Sequence, residues 1–533
     1  MVGQLPLRCH ASASRRGAGN VTRMTVNKPK TRRLSGLAPL LLATLAACAA
    51  PPETPPSAPV AGTSPATEAR LGPAELREDL DQLYTTLQAA HFDLYARLDK
   101  PAYDAAYSRL REQLDQAMTR SEALLAFQRF VALGRVAHAR IDLPFERWAT
   151  FREGGGKALG FTLRVRDGEV FVLSEFAGTE GIAPGDRVLA IDGEAALDWL
   201  DRMGTLVSAD NDYLRHAQME NLLPALAWFT LGEVGGVRLT LATADGGRRE
   251  AWLPATTRAQ LAAAEASAPA TRDLSGREAR MLDGRIAYLR PGPFYDDRPE
   301  ASSPWDRSHF RAFIDQAFED FIAAGATDLV LDLRDNPGGN NSFSDLVLAW
   351  FADRPFRFSD AFEIRVSEAT TAANQARLAA SPGDAGSDSA NMAALFESAA
   401  PGSLVRYEIP LVQPRPAPRF EGRVHVLVNR HSYSNAVSVA AMVQDLGFGR
   451  VLGEETADLA STLGAMEHFT LSHSGLTVGY PKARMLRPSG DPAPRGVVPD
   501  VAIAHPIPEG PEDPVLQAAL REVRRAAAAS GKP

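Results

Sequence analysis

Two strand-to-helix junctions in this chain carry residues that could together perform acyl transfer. The first follows an apolar run, 329–333, and reads Asp-Asn-Pro-Gly-Gly-Asn over 335–340. Because glycine permits unusual φ values and close approach, such a turn can point backbone N–H groups at developing negative charge. The second follows the strand-like segment 424–428 and contains Ser432 and Ser434 before a helical pattern. A serine there is a candidate nucleophile; the alternative is that it only caps the helix.

Further motifs accompany the two junctions. Residues 181–193 read Gly-Ile-Ala-Pro-Gly-Asp-Arg-Val-Leu-Ala-Ile-Asp-Gly, 453–456 read Gly-Glu-Glu-Thr, and 496–501 read Gly-Val-Val-Pro-Asp-Val. Together with the junctions, they resemble the tail-specific, or C-terminal processing, serine peptidases and their tricorn-core relatives over residues 73–507. The resemblance implies a crotonase/ClpP-like α/β catalytic core that hydrolyses polypeptide substrates.

The resemblance assigns roles to residues at both junctions. The nucleophile falls on Ser434, eleven residues before the end of the Gln-Asp pair at 444–445, and the other serine is a bystander. The oxyanion hole would combine the N–H of Asn435 with that of Gly338 or Gly339. The positive end of the helix dipole would add to this stabilisation.

The expected base departs from the best-known branch of these peptidases, which places a lysine after the serine in a Phe-Gly-Lys-Gly context. This chain has Thr-Ala-Asp-Leu-Ala over 456–460 instead. The tricorn-like branch draws a histidine from the segment before its PDZ module, which here is His138, and imidazole can accept a proton near neutral pH. His431 is nearer in sequence, but a turn is expected to keep it from the serine. His468 and Lys482 are further alternatives.

The acid that would orient the base is left open. Tricorn relatives place a glutamate shortly before the Gly-Val-x-Pro-Asp segment, but 492–495 read Pro-Ala-Pro-Arg here, and Asp491 is the nearest carboxylate. Ala137 also replaces the serine that precedes the tricorn histidine. Glu455 or Asp491 could orient His138, or each could stabilise its own loop.

Three folded regions are expected to position these residues in an α/β multidomain chain. Apolar spacing predicts an N-terminal helical domain over 73–150, with Ser121 capping its third helix. Alternating strands and turn signals predict a PDZ-like β domain over 155–256. A strand–helix–strand pattern predicts a mostly parallel sheet within a serine peptidase core over 275–507.

Leu159, Gly160 and Phe161 resemble the carboxylate-binding loop of PDZ domains. Such a loop offers N–H groups to a peptide C-terminus while a strand edge pairs with the peptide. The alternative is a β domain of the same fold without a ligand. In the peptidase core, 367–402 is expected to be a helical or mobile insertion, and 508–533 a C-terminal helix or tail.

The N-terminal residues are typical of an export signal. Residues 1–47 read as a leader and lipoprotein signal peptide, with basic residues before an apolar run too short to span a bilayer. Leu-Ala-Ala-Cys resembles a lipobox, so lipidation of Cys48 is expected to attach the chain to a membrane. Residues 48–72 are a Pro/Ala/Ser/Thr-rich tether. Ala49 favours the outer membrane of a bacterial envelope, facing the periplasm.

Charge and motifs exclude some functions. The chain has 57 Lys and Arg against 65 Asp and Glu, a net charge of -8, so nucleic acid is not an expected partner. Without a His-Glu-x-x-His run, phosphate loop or dinucleotide glycine pattern, no cofactor and no metal are expected. The favoured hypothesis is a lipid-anchored envelope serine endopeptidase. The alternatives are a catalytically silent peptide-binding scaffold lipoprotein of the same fold and, less favoured, a metal-assisted hydrolase.

Overall fold

The computed structural model describes residues 69–176, 178–243, 246–267, 274–380, 387–507 and 512–529. The predicted signal peptide, Cys48, most of the tether and the ends of the 508–533 segment lie outside the described residues. No helix in the described ranges is long and apolar enough to cross a membrane.

Helices dominate the N-terminal region. The elements are β1 (Arg70–Leu71), α1 (Pro73–Ala90), α2 (Lys100–Gln113), β2 (Met118–Thr119), α3 (Arg120–Ala132), β3 (Arg140–Ile141) and α4 (Phe145–Glu153). Helix α3 begins with a capping box, in which the Thr119 Oγ1 accepts the Glu122 N–H while the Glu122 carboxylate accepts the Thr119 N–H. The prediction that Ser121 caps this helix is wrong, because Ser121 lies inside its first turn.

The next region is an antiparallel sheet with two helices. Its elements are β4 (Ala158–Leu159), β5 (Phe161–Arg166), β6 (Glu169–Glu175), β7 (Arg187–Ile191), β8 (Glu194–Ala195), α5 (Ala196–Met203), a 3-10 turn (Gly204–Leu206), α6 (Asp212–Leu231), β9 (Gly236–Ala242) and β10 (Arg248–Thr256). The strand order is β4-β10-β9-β7-β6-β5, with β8 paired to β7. Asp167 and Gly168, both with positive φ, turn β5 into β6, and β5 is an end strand.

The remaining elements build two more sheets with helices around them. They are α7 (Arg258–Ser267), β11 (Glu278–Asp283), β12 (Ile286–Arg290), α8 (Ser308–Ala323), β13 (Asp328–Asp332), α9 (Asn341–Leu348), β14 (Ala361–Arg365), α10 (Glu368–Ala380), α11 (Asp388–Glu397), β15 (Leu404–Arg406), β16 (Arg423–Val428), α12 (Asn435–Asp445), β17 (Arg450–Gly453), β18 (Thr462–Thr470), β19 (Thr477–Leu486), β20 (Val501–Ala502) and α13 (Pro514–Ala529).

The larger of these sheets has the order β11-β12-β13-β16-β17-β20, parallel except for β11. Its four central strands, β12, β13, β16 and β17, are mostly buried because helices cover both faces, as parallel sheets require. Since β13 and β16 are parallel neighbours, their carboxyl ends meet at one edge of the sheet. The glycine-pair loop and the serine loop therefore leave the sheet side by side.

The smaller sheet, β15-β14-β19-β18, was not predicted from the sequence. Strand β3 pairs with its strand β19, with Ile141 opposite Val478 and Arg140 opposite Gly479. This pairing ties the loop that carries His138 to the peptidase region. The predicted mixed α/β architecture is confirmed, whereas the crotonase/ClpP-like and PDZ-like descriptions stay predictions.

Candidate active site

Ser434 occupies a strained position at the start of α12. Its backbone has φ 52° and ψ -119°, a conformation that costs a non-glycine residue about 1–3 kcal/mol. Its side chain makes no capping hydrogen bond to the helix. Helix capping therefore does not account for this serine.

Ser432, two residues earlier, has a structural role. Its side chain is fully buried. Its Oγ donates to the carbonyl of Leu333 at 2.7 Å and accepts the N–H of Asn429 at 3.1 Å. These bonds join the ends of β13 and β16, so this hydroxyl is committed to holding the two junctions together.

The first glycine of the pair lies directly against the serine. Gly338 has φ 83°, and a Cβ there would lie 2.9 Å from the Ser434 Cβ and 2.8 Å from the Asn435 nitrogen. The Gly338 N–H donates to Asn336 Oδ1 at 2.9 Å. In the part of the chain that the structure describes, the N–H groups of Gly339 and Asn435 donate to no acceptor. Of the two glycines expected to serve an oxyanion, Gly339 is the one whose N–H is available.

His138 lies in the loop between α3 and β3, next to the serine loop. Its imidazole stacks on the ring of Tyr433, with centroids 5.6 Å apart and an interplanar angle of 19°. A hydrogen bond joins the ring to the carbonyl of Leu463 on β18, while Nδ1 has no partner among the described residues. Burial, together with the charge of Arg140, lowers the pKa of His138 to about 4, so the ring is neutral at pH 7. It makes no hydrogen bond to Ser434 within these ranges.

The alternative bases have other partners. His431 Nε2 lies 3.0 Å from Glu220 Oε2, and this carboxylate raises the pKa of His431 although burial opposes the shift. Lys482 donates to Glu467 at 2.5 Å, and burial lowers its pKa. His468 lies on β18 beside Gly479. None of the three contacts Ser434 in the described structure.

The two expected orienting carboxylates do not contact His138 in the described ranges. The backbone carbonyl of Glu455 accepts the Tyr213 hydroxyl at 3.0 Å. Asp491 accepts the Ala493 N–H at 3.0 Å and Arg495 Nη2 at 3.2 Å, so it stabilises its own loop. The hydrogen-bond partner of the His138 ring is therefore the backbone carbonyl of Leu463, where a carboxylate was expected.

Two buried aspartates lie at the site that were not selected from the sequence. Asp458, 24 residues after Ser434, accepts the Ser434 N–H on Oδ2 at 2.6 Å. Asp210, just before α6, accepts the Ala137 N–H on Oδ2 at 3.2 Å. Burial raises the pKa of Asp210 to about 6, and burial plus the charge of Asp210 raises that of Asp458 to about 7. The sequence signal that could have identified Asp458 is its place in segment 456–460, which replaces the expected lysine motif.

A buried ion cluster joins the antiparallel sheet to the serine loop. Glu220 on α6 accepts from Arg164 Nη2 at 2.8 Å, from Arg430 Nη1 at 2.8 Å and from His431. Arg430 also donates to the carbonyl of Val165, on end strand β5, at 3.2 Å. The cluster satisfies charges that would be costly to bury unpaired, and it reaches to within three residues of Ser434.

The residues of the expected carboxylate-binding loop span the junction of β4 and β5. The side chains of Leu159 and Phe161 are buried in the sheet core, and Gly160 connects the two strands. Separately, no group of three or more His, Cys, Asp or Glu side chains in the described ranges is arranged to hold a metal ion.

Comparison with known proteins identifies the family. Residues 285–503 match the model of peptidase family S41, a range that contains both junctions but not His138. No curated protein matches the chain. The crystal structure of mature CPAF matches with a TM-score of 0.54 at 16% identity, covering 81% of this chain and 92% of that one. Mature CPAF complexed with lactacystin matches with a TM-score of 0.55 at 15% identity, covering 85% and 97%.

A third solved structure, the photosystem II D1 C-terminal processing protease, matches with a TM-score of 0.39 at 19% identity, covering 81% of this chain and 93% of that one. The likeness to CPAF shows the fold, and the assignment of peptidase activity rests on the family match. The match over residues 285–503, together with the fold, supports a tail-specific protease of peptidase family S41, and the chain is a serine-type peptidase that acts on polypeptide substrates.

Proposed function

We propose that the chain is a lipid-anchored serine endopeptidase of the bacterial envelope, with Ser434 as nucleophile and His138 as general base. One observation carries this proposal. The hydroxyl of Ser434, free of any capping bond, is held in a strained backbone against the glycine turn, and the N–H groups of Gly339 and Asn435 have no acceptor among the described residues. Strain of this kind is typical of functional positions.

The reaction follows from these groups. Ser434 Oγ bonds to the carbonyl carbon of the substrate peptide as its proton passes to His138, and the N–H groups of Gly339 and Asn435 bind the oxyanion. When the C–N bond breaks, His138 returns the proton to the leaving amine. Water then attacks the acyl-enzyme through the same steps, giving the carboxylic acid and free Ser434.

The neutral state of His138 supports its role as a base. A pKa of about 4 leaves the imidazole unprotonated at neutral pH. The Leu463 carbonyl would orient the ring by accepting from one nitrogen, leaving the other to accept the serine proton. Hydrogen bonds between base and nucleophile are often formed only when substrate is bound, so their absence in the free chain is compatible with this role.

Substrate binding is assigned to the antiparallel sheet over 158–256, as a PDZ-like domain. Its end strand β5 could accept an extended peptide as an added strand, and the loop 159–161 would receive a C-terminal carboxylate. Membrane attachment would come through lipidation of Cys48, outside the described residues, with the outer membrane facing the periplasm as the expected location.

The second candidate function is a peptide-binding scaffold without catalysis. It is favoured by the lack of a hydrogen bond between His138 and Ser434 in the described structure. Asp458 at the place of the expected lysine, and the absence of a carboxylate on His138 in these ranges, point the same way. The two functions make opposite predictions for covalent modification.

Fluorophosphonate labelling of the full-length protein separates them. Wild type should be labelled, whereas Ser434→Ala and His138→Ala should lose labelling while keeping the wild-type unfolding transition. Ser438→Ala, one turn further along α12, is the matched control and should label normally. A folded wild type that binds peptide but is never labelled, with or without that peptide, would establish the scaffold instead.

A further inference from the structure

Ser434 needs an acceptor that fixes its strained backbone. Its carbonyl is held by the first turn of α12, accepting from Val437 and Ser438 at 2.9 and 3.2 Å. Its N–H, by contrast, donates to a side chain, Asp458 Oδ2, at 2.6 Å. Asp458 Oδ1 accepts the adjacent Leu459 N–H at 2.9 Å. The carboxyl group is thus fully used in holding backbone, and only 1% of the residue is exposed.

The second aspartate makes the same kind of contact on the other side of the site. Asp210 is 5% exposed and accepts the N–H of Ala137, the residue before His138. The next residue, Asn211, donates to the carbonyl of Ala457 at 3.4 Å. The segment before α6 therefore contacts both the His138 loop and the segment that carries Asp458.

We propose that Asp458 and Asp210 are paired positioning residues: Asp458 fixes the backbone of Ser434, and Asp210 fixes the backbone beside His138. Because the Asn211–Ala457 hydrogen bond joins their two segments, together they set the distance between nucleophile and base. This inference rests on the proposed function. Neither aspartate contacts substrate in this arrangement. Both act through the backbone groups whose N–H they accept.

The pairing has a consequence for pH. Asp210 and Asp458 lie on segments joined by the Asn211–Ala457 hydrogen bond, and burial together with the charge of Asp210 raises the pKa of Asp458. Ionising both buried carboxyl groups therefore costs free energy. The charged groups that act on them are Arg97, which lowers the pKa of Asp210, and Asp210 itself, which raises that of Asp458. His138 is the titratable group next to the Ala137 N–H that Asp210 accepts. No cation bonds to Asp458 among the described residues. Ionisation of both carboxyl groups should therefore separate the two loops as the pH rises.

The test is the rate of fluorophosphonate labelling of the full-length protein between pH 5 and 9. The labelling rate of Asp458→Ala should be about 100-fold lower than that of wild type at neutral pH, as expected when a nucleophile is displaced by about 1 Å. Asp458→Asn, which keeps an acceptor but cannot ionise, should recover part of the loss and show no decline on the alkaline side. Asp210→Asn should likewise abolish that decline, because an ionised Asp458 then has no second carboxylate to repel it.

A matched control is available in Asp79. It is a fully buried aspartate that likewise accepts two backbone N–H groups, those of His473 and Ser474, at 2.9 and 2.8 Å. Asp79→Asn should label as wild type with the same pH profile. This comparison removes any general effect of losing a buried carboxylate.

The inference is overturned if Asp458→Ala labels at the wild-type rate, or if Asp458→Asn keeps the wild-type alkaline decline. If Asp458→Ala does not fold, the pH profile of Asp458→Asn decides alone. Labelling that persists in Ser434→Ala would contradict the proposed function instead, so the two failures are distinguishable.

Discussion

The imidazole of His138 lies against the phenol ring of Tyr433, with centroids 5.6 Å apart and planes 19° from parallel. Tyr433 directly precedes Ser434, and its N–H donates to the carbonyl of Asn336 at 2.9 Å. The stacked pair thus connects a histidine from outside the family match to the serine and glycine loops inside it. It is the direct contact by which the proposed base is placed near the proposed nucleophile.

The first prediction concerns this stack. Tyr433→Ala should lower the labelling rate about tenfold, because an aromatic pair contributes up to about 1.5 kcal/mol beyond its buried area. Tyr433→Phe keeps the ring and should stay close to wild type. The measurement is the second-order rate constant for fluorophosphonate labelling. Equal rates in the Ala and Phe variants would show that the stack does not position the histidine.

The second prediction concerns the acid side of the pH profile. A histidine with its usual pKa of about 6.5 would be half protonated near that pH, whereas burial and Arg140 lower the pKa of His138 to about 4. Labelling should therefore stay constant as the pH falls from 6.5 to 5 and decline only near pH 4. The free energy of unfolding should also fall as the pH drops from about 6.5 toward 4, because His138 binds a proton in the unfolded chain but not in the folded one.

Arg140→Met tests the electrostatic part of that shift. Removing the charge should move the acid decline to higher pH, by less than the whole shift, because burial is the larger cause. Arg135→Met is the control: Arg135 lies in the same loop but pairs with Asp212, half exposed. A decline near pH 6.5 in wild type would show that His138 is not the base.

The sequence predicted the parts of the site that are contiguous along the chain. The glycine turn and the serine turn each follow a buried strand, and parallel strands bring such turns to one edge, so their meeting could be expected. His138 could be singled out only by resemblance, because a lone histidine after a helix carries no pattern of its own. The Ser121 cap was wrong because Thr119 also had a glutamate three residues later, the stronger of two local signals.

Other parts could not be read from the sequence. Asp210 lies far along the chain from Asp458 and the Leu463 carbonyl, and each of the three acts through a backbone group whose position only the tertiary fold defines. The sheet that carries Leu463 includes strands β3 and β15, which are two and three residues long. Strands so short have too few alternating positions to be recognised.

The third prediction concerns the buried ion cluster. Glu220→Ala leaves Arg164 and Arg430 buried without their shared carboxylate, so the free energy of unfolding should fall by about 3–5 kcal/mol. Glu194→Ala, which breaks the exposed pair with Arg202, should cost at most about 1 kcal/mol. Denaturant unfolding measures both. If both variants lose an equally small free energy of unfolding, the cluster does not stabilise the packing of the antiparallel sheet against the serine loop.

The fourth prediction uses the contact between the glycine pair and the serine. Gly338→Ala places a Cβ 2.6 Å from the Tyr433 carbonyl and 2.8 Å from the Asn435 nitrogen, all of it backbone. Because the strands beneath are buried and rigid, the serine loop must move, and the proposed oxyanion donors move with it. Labelling should fall by about 100-fold, the cost of removing one such donor.

Gly325→Ala separates crowding from backbone strain. Gly325 has φ 70°, close to the 83° of Gly338, but nothing lies within 4 Å of its added Cβ. Holding alanine at a positive φ costs about 1–2 kcal/mol. Both variants should therefore lose a comparable free energy of unfolding from this backbone strain. Only Gly338→Ala should also lose labelling, because only there does the new methyl group displace Ser434. If both variants label as wild type, the serine does not depend on the glycine turn, and the oxyanion site must be sought elsewhere.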